Sequence, residues 1–361
     1  MYVDEIQLND FRNYKDGYAA FSQGVNVIYG GNARGKTNIL EAVYLLSSAR
    51  SHRLSRENEM IRFGEKTARI TAKFHSRGRD NIGEMTLFPD KKKQIKINRV
   101  PIGKTSGLMG FLNTVMFCPE DLRLVKGSPR ERRRMMDLGI CQLSKKYFHA
   151  LSQYVKVLEQ RNRLLKENPG SQSLWVWDEK LVQYGVEVML HRKRYLATLG
   201  GEARNVHGGI CGERLDVAYR CGAAIGDFDD REAAARQFLA DLERCHGREQ
   251  RFGMSLSGPH RDDFSIVIDD REARLYGSQG QQRTAALSLK MAEVSLLRDG
   301  TGETPVLLLD DVMSELDLSR QSYILNHIGG VQVIITCTAE PDRAAVFYEN
   351  AKKINVEEVK R

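Results

Sequence analysis

Paired cysteines, long apolar runs and a basic leader are all missing from this chain of 361 residues. Without a Cys-x-x-Cys pair, the cysteines predict neither a zinc site nor a disulfide framework, and buried thiols in a reducing compartment are the simpler account. They are Cys118, Cys141, Cys211, Cys221, Cys245 and Cys337. No run of 18 apolar residues occurs, and the first six residues lack the regions of a signal peptide. We therefore expect a cytoplasmic protein with no membrane partner.

The composition is that of a globular protein with an excess of positive charge. Hydrophobic residues make up 41% of the chain and charged residues 28%, and no internal repeat or low-complexity segment is found. The length allows two or three domains. The net charge of +8 favours a polyanionic partner, nucleic acid or an acidic membrane surface, although a soluble basic protein without such a partner would have the same composition.

A glycine-rich segment carries the strongest functional signal. Residues 30–37 fit the phosphate-loop pattern Gly-x4-Gly-Lys-Thr, with an apolar run at 25–28 that predicts a strand before it and an apolar spacing at 39–46 that predicts a helix after it. In such a loop the backbone N–H groups and the lysine bind phosphates, and the threonine hydroxyl ligates magnesium. A glycine-rich turn without a ligand is the alternative. The predicted nucleoside triphosphate site comprises Gly30, Gly31, Asn32, Ala33, Arg34, Gly35, Lys36, Thr37 and Asn38.

Two later segments complete the pattern. An apolar run at 305–309 ends in Asp310 and Asp311, and such a strand can deliver one carboxylate to magnesium while the other orients water. Before it, Ser278 and Gln281 form a capping-box pattern with Gly280 between them, at the start of a predicted helix that could bind a second anion. Each segment alone is a weak signal; with the phosphate loop, in this order, coincidence becomes improbable.

The order of strand and helix patterns indicates a split domain. We expect an ATPase head formed by residues 1–127 and 252–361, with a mainly helical domain, 128–251, inserted between them. Residues 2–8 are predicted as an edge strand and 67–102 as strands of a β-rich lobe. Within the insertion, two apolar stripes predict an antiparallel helical hairpin, either a short coiled-coil arm or a pair of ordinary core helices. The stripes comprise positions 148, 151, 155, 158 and 165, and positions 174, 177, 181, 184 and 188.

These segments together resemble the ATPase set of SMC-type proteins, and more closely the bacterial RecF family. The resemblance covers nearly the whole chain and is carried by the phosphate loop and by Asn13-Tyr14, Ser51-His-Arg53, Phe117–Leu122, Gly127–Arg130, Ser257–Asp262, Ser278–Gln281, Leu309–Asp311 and Ser314–Asp317. It implies an α/β fold: a P-loop ABC/SMC-type head with a β-rich lobe and an inserted helical arm. It also implies ATP-dependent homodimerisation on double-stranded DNA near single-strand junctions, slow DNA-stimulated ATP hydrolysis, and RecR and RecO as partners in loading recombinase.

The same resemblance assigns roles to residues of the predicted site. Lys36 and Thr37 would bind phosphate and Mg²⁺, with Lys36 also counted as catalytic, and Asp310 would be the magnesium-side acid. Asp311 stands where related ATPases carry a catalytic glutamate. Ser278, Gly280 and Gln281 would act on the nucleotide of the second copy, and Asp317 would lie in a segment that crosses the dimer interface.

This sequence departs from the ABC pattern at two positions. No glutamine stands clearly at the metal-linked position, where Glu120 and Asp121 lie nearby. The last predicted strand ends in Thr336-Cys337-Thr338, where a histidine is usual.

Two other function classes compete with this interpretation. One is an ATPase subunit that serves a membrane transporter, and the other is an architectural SMC-type chromosome protein. The coiled-coil spacing and basic charge argue against the first, and the shortness of the arm argues against the second. Stimulation of ATP hydrolysis by DNA would separate the RecF-like function from the transporter function.

Overall fold

The computed structural model describes residues 1–51, 57–167, 174–327, 329–340 and 350–359. They form two compact units: the first comprises 1–121, 209–212 and 287–361, and the second comprises 122–208 and 213–286. The predicted positions His52 and Arg53 lie outside the described residues.

The strands and helices are numbered in chain order. The strands are β1 (Tyr2–Phe11), β2 (Tyr14–Ala20), β3 (Val25–Tyr29), β4 (Ala68–Ser76), β5 (Arg79–Leu87), β6 (Gln94–Ile97), β7 (Val100–Pro101), β8 (Thr114–Phe117), β9 (Leu215–Arg220), β10 (Asp263–Ile268), β11 (Arg271–Glu272), β12 (Val306–Asp310), β13 (Val333–Cys337) and β14 (Lys352–Asn355). The helices are α1 (Lys36–Ser48), α2 (Arg123–Lys126), α3 (Pro129–Leu143), α4 (Lys145–Glu167), α5 (Leu174–Cys211), α6 (Arg231–Phe252), α7 (Ala273–Tyr276), α8 (Gln279–Thr301), α9 (Leu318–His327) and α10 (Val356–Val359).

A parallel sheet of order β14-β3-β13-β12-β8 forms the centre of the first unit. Every residue of β12 is buried, as expected of a parallel strand that is covered on both faces. Because all neighbours run parallel, the carboxyl ends of β3, β13 and β12 meet at one edge. This edge is where the phosphate loop and the Asp310 carboxylate arrive.

The β-rich lobe of the first unit is an antiparallel sheet of order β2-β1-β4-β5-β6-β7. Alternate residues of β4 are buried, as expected of a strand with one face on a core. The prediction that residues 2–8 form an edge strand is wrong, because β1 pairs with β2 on one side and with β4 on the other. The connection between β1 and β2 is a tight turn in which Arg12 has a φ of 56°.

In the second unit, α4 and α5 form the predicted antiparallel hairpin. Lys146 pairs with Glu187 near the start of α4 (2.8 Å), and Arg161 pairs with Asp178 near its end (2.6 Å). The predicted stripe of α4 is wrong in its register, since position 155 is exposed. The buried side chains of α4 are Tyr147, Ala150, Tyr154, Val157, Arg161 and Leu165. Two tyrosines and an arginine occupy core positions, and they mislead a search for aliphatic residues.

A small antiparallel sheet explains where the second unit ends. Strand β10 pairs with β9 on one side and with β11 on the other. This pairing joins the chain on both sides of the predicted boundary at 251/252. The second unit continues past this sheet to residue 286, inside α8, and includes Ser278.

The cysteines and the helices bear on the expected compartment and on a membrane span. All six cysteines are among the described residues and none of them forms a disulfide, as the spacing predicts. Cys118 and Cys141 are buried, but Cys211 is exposed, so the expectation of buried thiols holds only in part. Among the described residues, no helix has the length and apolar character needed to span a bilayer.

Candidate nucleotide site

The phosphate loop joins the buried strand β3 to α1. The backbone angle φ changes sign repeatedly along the loop, with positive values at Gly30 (141°), Ala33 (60°) and Gly35 (104°). These changes of sign turn successive N–H groups toward one concave side, which suits an anion. The Lys36 Nζ donates to the carbonyl oxygens of Gly30 (2.6 Å) and Gly31 (2.8 Å), so the ammonium lies across the loop.

Two glycines of the loop are required by their close neighbours. A Cβ at Gly30 would lie 2.5 Å from Val356 Cγ1, and a Cβ at Gly35 would lie 2.6 Å from Asn13 Oδ1. Both positions also have a φ that other residues rarely adopt. Tyr14 supports the loop from β2, because its hydroxyl donates to the Gly35 carbonyl oxygen at 3.1 Å.

A carboxylate and two hydroxyls meet beside the loop. Asp310 ends β12, and its Oδ1 accepts a hydrogen bond from Thr37 Oγ1 (2.7 Å) and another from Thr336 Oγ1 (2.9 Å). Asp310 and Thr336 are paired in the register of β12 and β13. The hydroxyl of Thr37 and the carboxylate of Asp310 are hard oxygen donors of the kind that Mg²⁺ takes in phosphate-binding proteins, so they fit this ion.

Asp311 lies directly beyond the strand in an uncommon conformation. Its φ is 55°, in the left-handed region, which aspartate tolerates better than most residues do. Its N–H donates to Thr336 Oγ1 (2.9 Å), and its carbonyl oxygen accepts from Ser314 Oγ (3.0 Å). The backbone turn is thus held on both sides while the Asp311 side chain remains half-exposed.

The two positions where the sequence departs from the ABC pattern have distinct surroundings. Asp121 Oδ2 accepts from the N–H of Cys118 (2.8 Å), and burial raises the pKa of this carboxyl against the opposing effect of Lys290. At the end of β13, burial raises the pKa of the Cys337 thiol to about 11. Thr336, one residue earlier, is the member of this segment that contacts Asp310.

The Ser278 segment lies in the second unit and begins α8 with the predicted capping box. The N–H of Gln281 donates to Ser278 Oγ (3.2 Å), and the N–H of Ser278 donates to Gln281 Oε1 (2.9 Å). Gln281 Nε2 donates in turn to Glu213 Oε1 (2.7 Å). Thr284 Oγ1 donates to the carbonyl oxygen of Gly280 (2.9 Å). The segment is therefore a capped helix start.

The structure thus brings residues 30–38 together with Asp310 and Asp311 in the first unit. It places Ser278, Gly280 and Gln281 in the second unit, as a separate helix start.

Sequence reasoning missed a group that braces α1. Glu41 is fully buried, and its carboxylate accepts two hydrogen bonds from Arg12 (2.9 Å each) and one from Ser51 Oγ (2.6 Å). A glutamate beside the apolar stripe of α1 was the available signal. Its partners are distant in the chain and could not be named from the spacing.

Comparison with known proteins identifies relatives over almost the whole chain. The model of the family described as RecF/RecN/SMC N terminal domain matches residues 2–358. A DNA replication and repair protein RecF of Ruminiclostridium cellulolyticum is 44% identical over 345 residues, which cover 94% of this chain and 93% of the relative. One from Agathobacter rectalis is 45% identical over 344 residues, with coverage of 94% and 92%.

Solved structures give the same result for the fold. The structure of the recombination mediator protein RecF with ATP, in the RecFOR pathway, has a TM-score of 0.90 at 38% identity, with coverage of 94% of this chain and 93% of the other. An SMC head bound to the C-winged helix domain of ScpA has a TM-score of 0.53 at 16% identity, covers 94% and 90%, and shares the fold alone. The predicted fold class, a P-loop head with a β-rich lobe and an inserted helical arm, is confirmed.

Proposed function

Because the chain belongs to the RecF family, within the RecF/RecN/SMC group, we propose that it is an ATP-dependent DNA-binding clamp of recombinational repair. Two copies would close on ATP, hold double-stranded DNA near single-strand gaps, and release it after slow hydrolysis. The relatives act in DNA replication and repair by their names, and one was solved with ATP.

The observation that carries the proposal is the contact between Thr37 and Asp310. It joins the phosphate loop to the carboxyl end of β12 at 2.7 Å, beside a lysine already directed across the loop. Thr37 and Asp310 would hold Mg²⁺, which would neutralise charge that develops on the phosphates. Lys36 would bind the β- and γ-phosphates, and Asp311 would orient or deprotonate the attacking water.

The second copy would supply the Ser278 segment. A capped helix start with a serine and a glycine presents N–H groups and a positive partial charge to a terminal phosphate. Loss of that phosphate would remove the shared contact and separate the copies. This sequence of events makes ATP binding the closing step and hydrolysis the opening step.

Partners follow from the same proposal. The net charge of +8 supports DNA as the polyanion. RecR and RecO are proposed as partners in loading recombinase, in line with the RecFOR pathway of the solved relative. A protein with these partners would act in the cytoplasm.

The proposal is tested by measuring molar mass by light scattering with ATP, with ADP and without nucleotide, each with duplex DNA, gapped DNA or no DNA. We expect light scattering to show a dimer only with ATP. In binding and hydrolysis assays, we expect the affinity for duplex DNA to fall steeply with salt and DNA to stimulate ATP hydrolysis. A protein that stays monomeric with ATP yet binds duplex unchanged would refute the clamp. A flat salt dependence would refute the phosphate contacts.

A further inference from the structure

A buried arginine ties three helices of the second unit together at one end. Arg161 donates to Asp178 Oδ1 on α5 (2.6 Å), to Glu249 Oε2 on α6 (2.7 Å) and to Ser255 Oγ (2.7 Å). The side chains of Arg161 and Glu249 are fully buried. These bonds bring together residues 162–167, 174–180 and 248–261, a group of segments that we call the arm end.

The arm end exposes large apolar side chains. Trp175 is 60% exposed, Phe252 65% and Met254 42%. A Cβ added at Gly253 would lie 3.0 Å from Lys166 Cγ, so the turn carrying Phe252 and Met254 packs on the last turn of α4. Trp175 lies one helical turn before Asp178, which Arg161 holds. Single exposed apolar residues are ordinary, but two aromatic rings and a methionine on the segments that Arg161 joins indicate a contact surface.

The charge of the arm end is unbalanced. Its exposed acids are Glu167 and Glu179, and Glu167 pairs with Arg163 at 2.9 Å. Its exposed cations are Arg163, Lys166, Lys180, Arg248, Arg251 and Arg261. The surface thus combines bare aromatic rings with a clear excess of positive charge.

We propose that the arm end binds single-stranded DNA, through phosphate contacts of its cations and stacking of bases on Trp175 and Phe252. The inference rests on the proposed DNA-binding function and adds to it a site for the unpaired strand. Phosphates alone would suit a duplex equally well, but duplex bases are stacked on one another and offer no free face to a ring. An unpaired strand offers both a phosphate chain and free base faces, and each base stacked on an aromatic ring strengthens binding.

The test compares a blunt duplex with the same duplex carrying a mixed-sequence single-stranded tail. The variants are Trp175→Ala and Phe252→Ala, alone and together. We expect wild type to prefer the tailed duplex, and each variant to lose about tenfold of that preference. Binding of the blunt duplex and ATP-driven dimerisation should not change. Phe63→Ala is the matched control, because Phe63 is a fully exposed aromatic residue of the first unit.

Each possible outcome of this test either supports or overturns the inference. A double variant that keeps the wild-type preference, or a wild type without any preference, overturns the inference. A double variant that keeps it but loses binding to purified RecR also overturns it, and would assign the surface to a protein. Failure of wild type to bind the blunt duplex or to dimerise with ATP is a different result, because it contradicts the proposed function itself.

Discussion

Thr37 and Asp310 are 273 positions apart in the chain, yet Thr37 Oγ1 donates a hydrogen bond of 2.7 Å to Asp310 Oδ1. The same carboxylate oxygen accepts from Thr336 Oγ1, so one atom links the phosphate loop, β12 and β13. Because each residue stands at the carboxyl end of its strand or directly after the loop, the sheet brings these oxygens together.

Replacing Lys36 by methionine should abolish ATP binding and, with it, ATP-dependent dimerisation. The ammonium now bridges two loop carbonyls, and no methionine atom can replace its charge against phosphate. The measurement is the rise in melting temperature on adding ATP, which should vanish in the variant. Lys15→Met, an exposed lysine of β2, should behave as wild type. A Lys36→Met protein that ATP still stabilises would contradict the assigned role.

Asp311→Asn should slow ATP hydrolysis about a hundredfold or more while leaving ATP binding intact. Asparagine tolerates the left-handed backbone that position 311 requires, so the fold should persist and only the charge is lost. Single-turnover hydrolysis and the lifetime of the ATP-bound dimer are the measurements, and the dimer should persist longer. Asp270→Asn is the control, since Asp270 also has a left-handed backbone (φ 64°). Unchanged hydrolysis in Asp311→Asn would rule out a catalytic role.

Ser278→Arg should leave ATP binding by the monomer intact and prevent dimerisation. Losing the Ser278 cap weakens the helix by about 1 kcal/mol, too little to unfold the unit, whereas the arginine would block a second copy's nucleotide. Light scattering with ATP measures the result. Ser278→Thr keeps a hydroxyl cap and should still dimerise. Normal dimerisation of Ser278→Arg would show that this segment does not act on the partner's nucleotide.

Stability should fall as pH decreases from about 6.5 to about 4, in part because of His260. Burial lowers the pKa of His260 to about 4. Its Nε2–H donates to the Ser255 carbonyl oxygen (3.0 Å), so in the neutral ring Nδ1 accepts from the Tyr154 hydroxyl (2.6 Å). Within that range the unfolded chain takes up a proton that the folded chain cannot, which lowers the free energy of unfolding by about 3 kcal/mol at the acid end.

Urea unfolding of wild type and His260→Gln across this pH range isolates the effect. The variant should be less sensitive to acid, because glutamine can pair with the same partners without titrating here. His149→Gln, at an exposed position of α4, should match wild type. Equal acid sensitivity of wild type and His260→Gln would exclude this origin.

Arg161→Leu should lower the free energy of unfolding by about 3–5 kcal/mol, because Glu249 would remain buried without its cation. The double variant with Glu249→Leu should be more stable than the single one, since the fully buried carboxylate is removed together with its cation and only the partly exposed Asp178 loses its partner. Urea unfolding measures both. Arg163→Leu removes only an exposed pair and should cost less than about 1 kcal/mol. A double variant less stable than Arg161→Leu would contradict this account.

The sequence was most informative where a few consecutive residues determine the structure. The phosphate loop needs glycine at 30 and 35 for local backbone reasons, and the Ser278 capping box forms within four residues, so both were predictable. The contact of Thr336 with Asp310 was not predictable, because it depends on the register of two strands. The stripe of α4 was misplaced because Tyr154 and Arg161 are core residues there.

Side chains that replace backbone partners were equally hard to foresee. The chain enters β13 (Val333–Cys337) through a polar side chain. Gln332, just before it, is buried and exchanges hydrogen bonds with the N–H and carbonyl of Val3, at 2.7 Å each. The Gln332 side chain thus makes the hydrogen bonds that the backbone of a neighbouring strand would make. An apolar pattern in the sequence cannot indicate such a contact.

The position of β14 beside β3 has a practical consequence. The segment 352–357 pairs with the strand that leads into the phosphate loop, sets Val356 against Gly30, and joins Glu357 to Arg34 at 3.2 Å. Proteolysis or truncation after position 350 would expose one side of β3 and remove the packing behind Gly30. Purified protein that has been cleaved there is expected to lose nucleotide affinity while most of the molecule stays folded. A purity gel that is judged only by its main band would not reveal this defect.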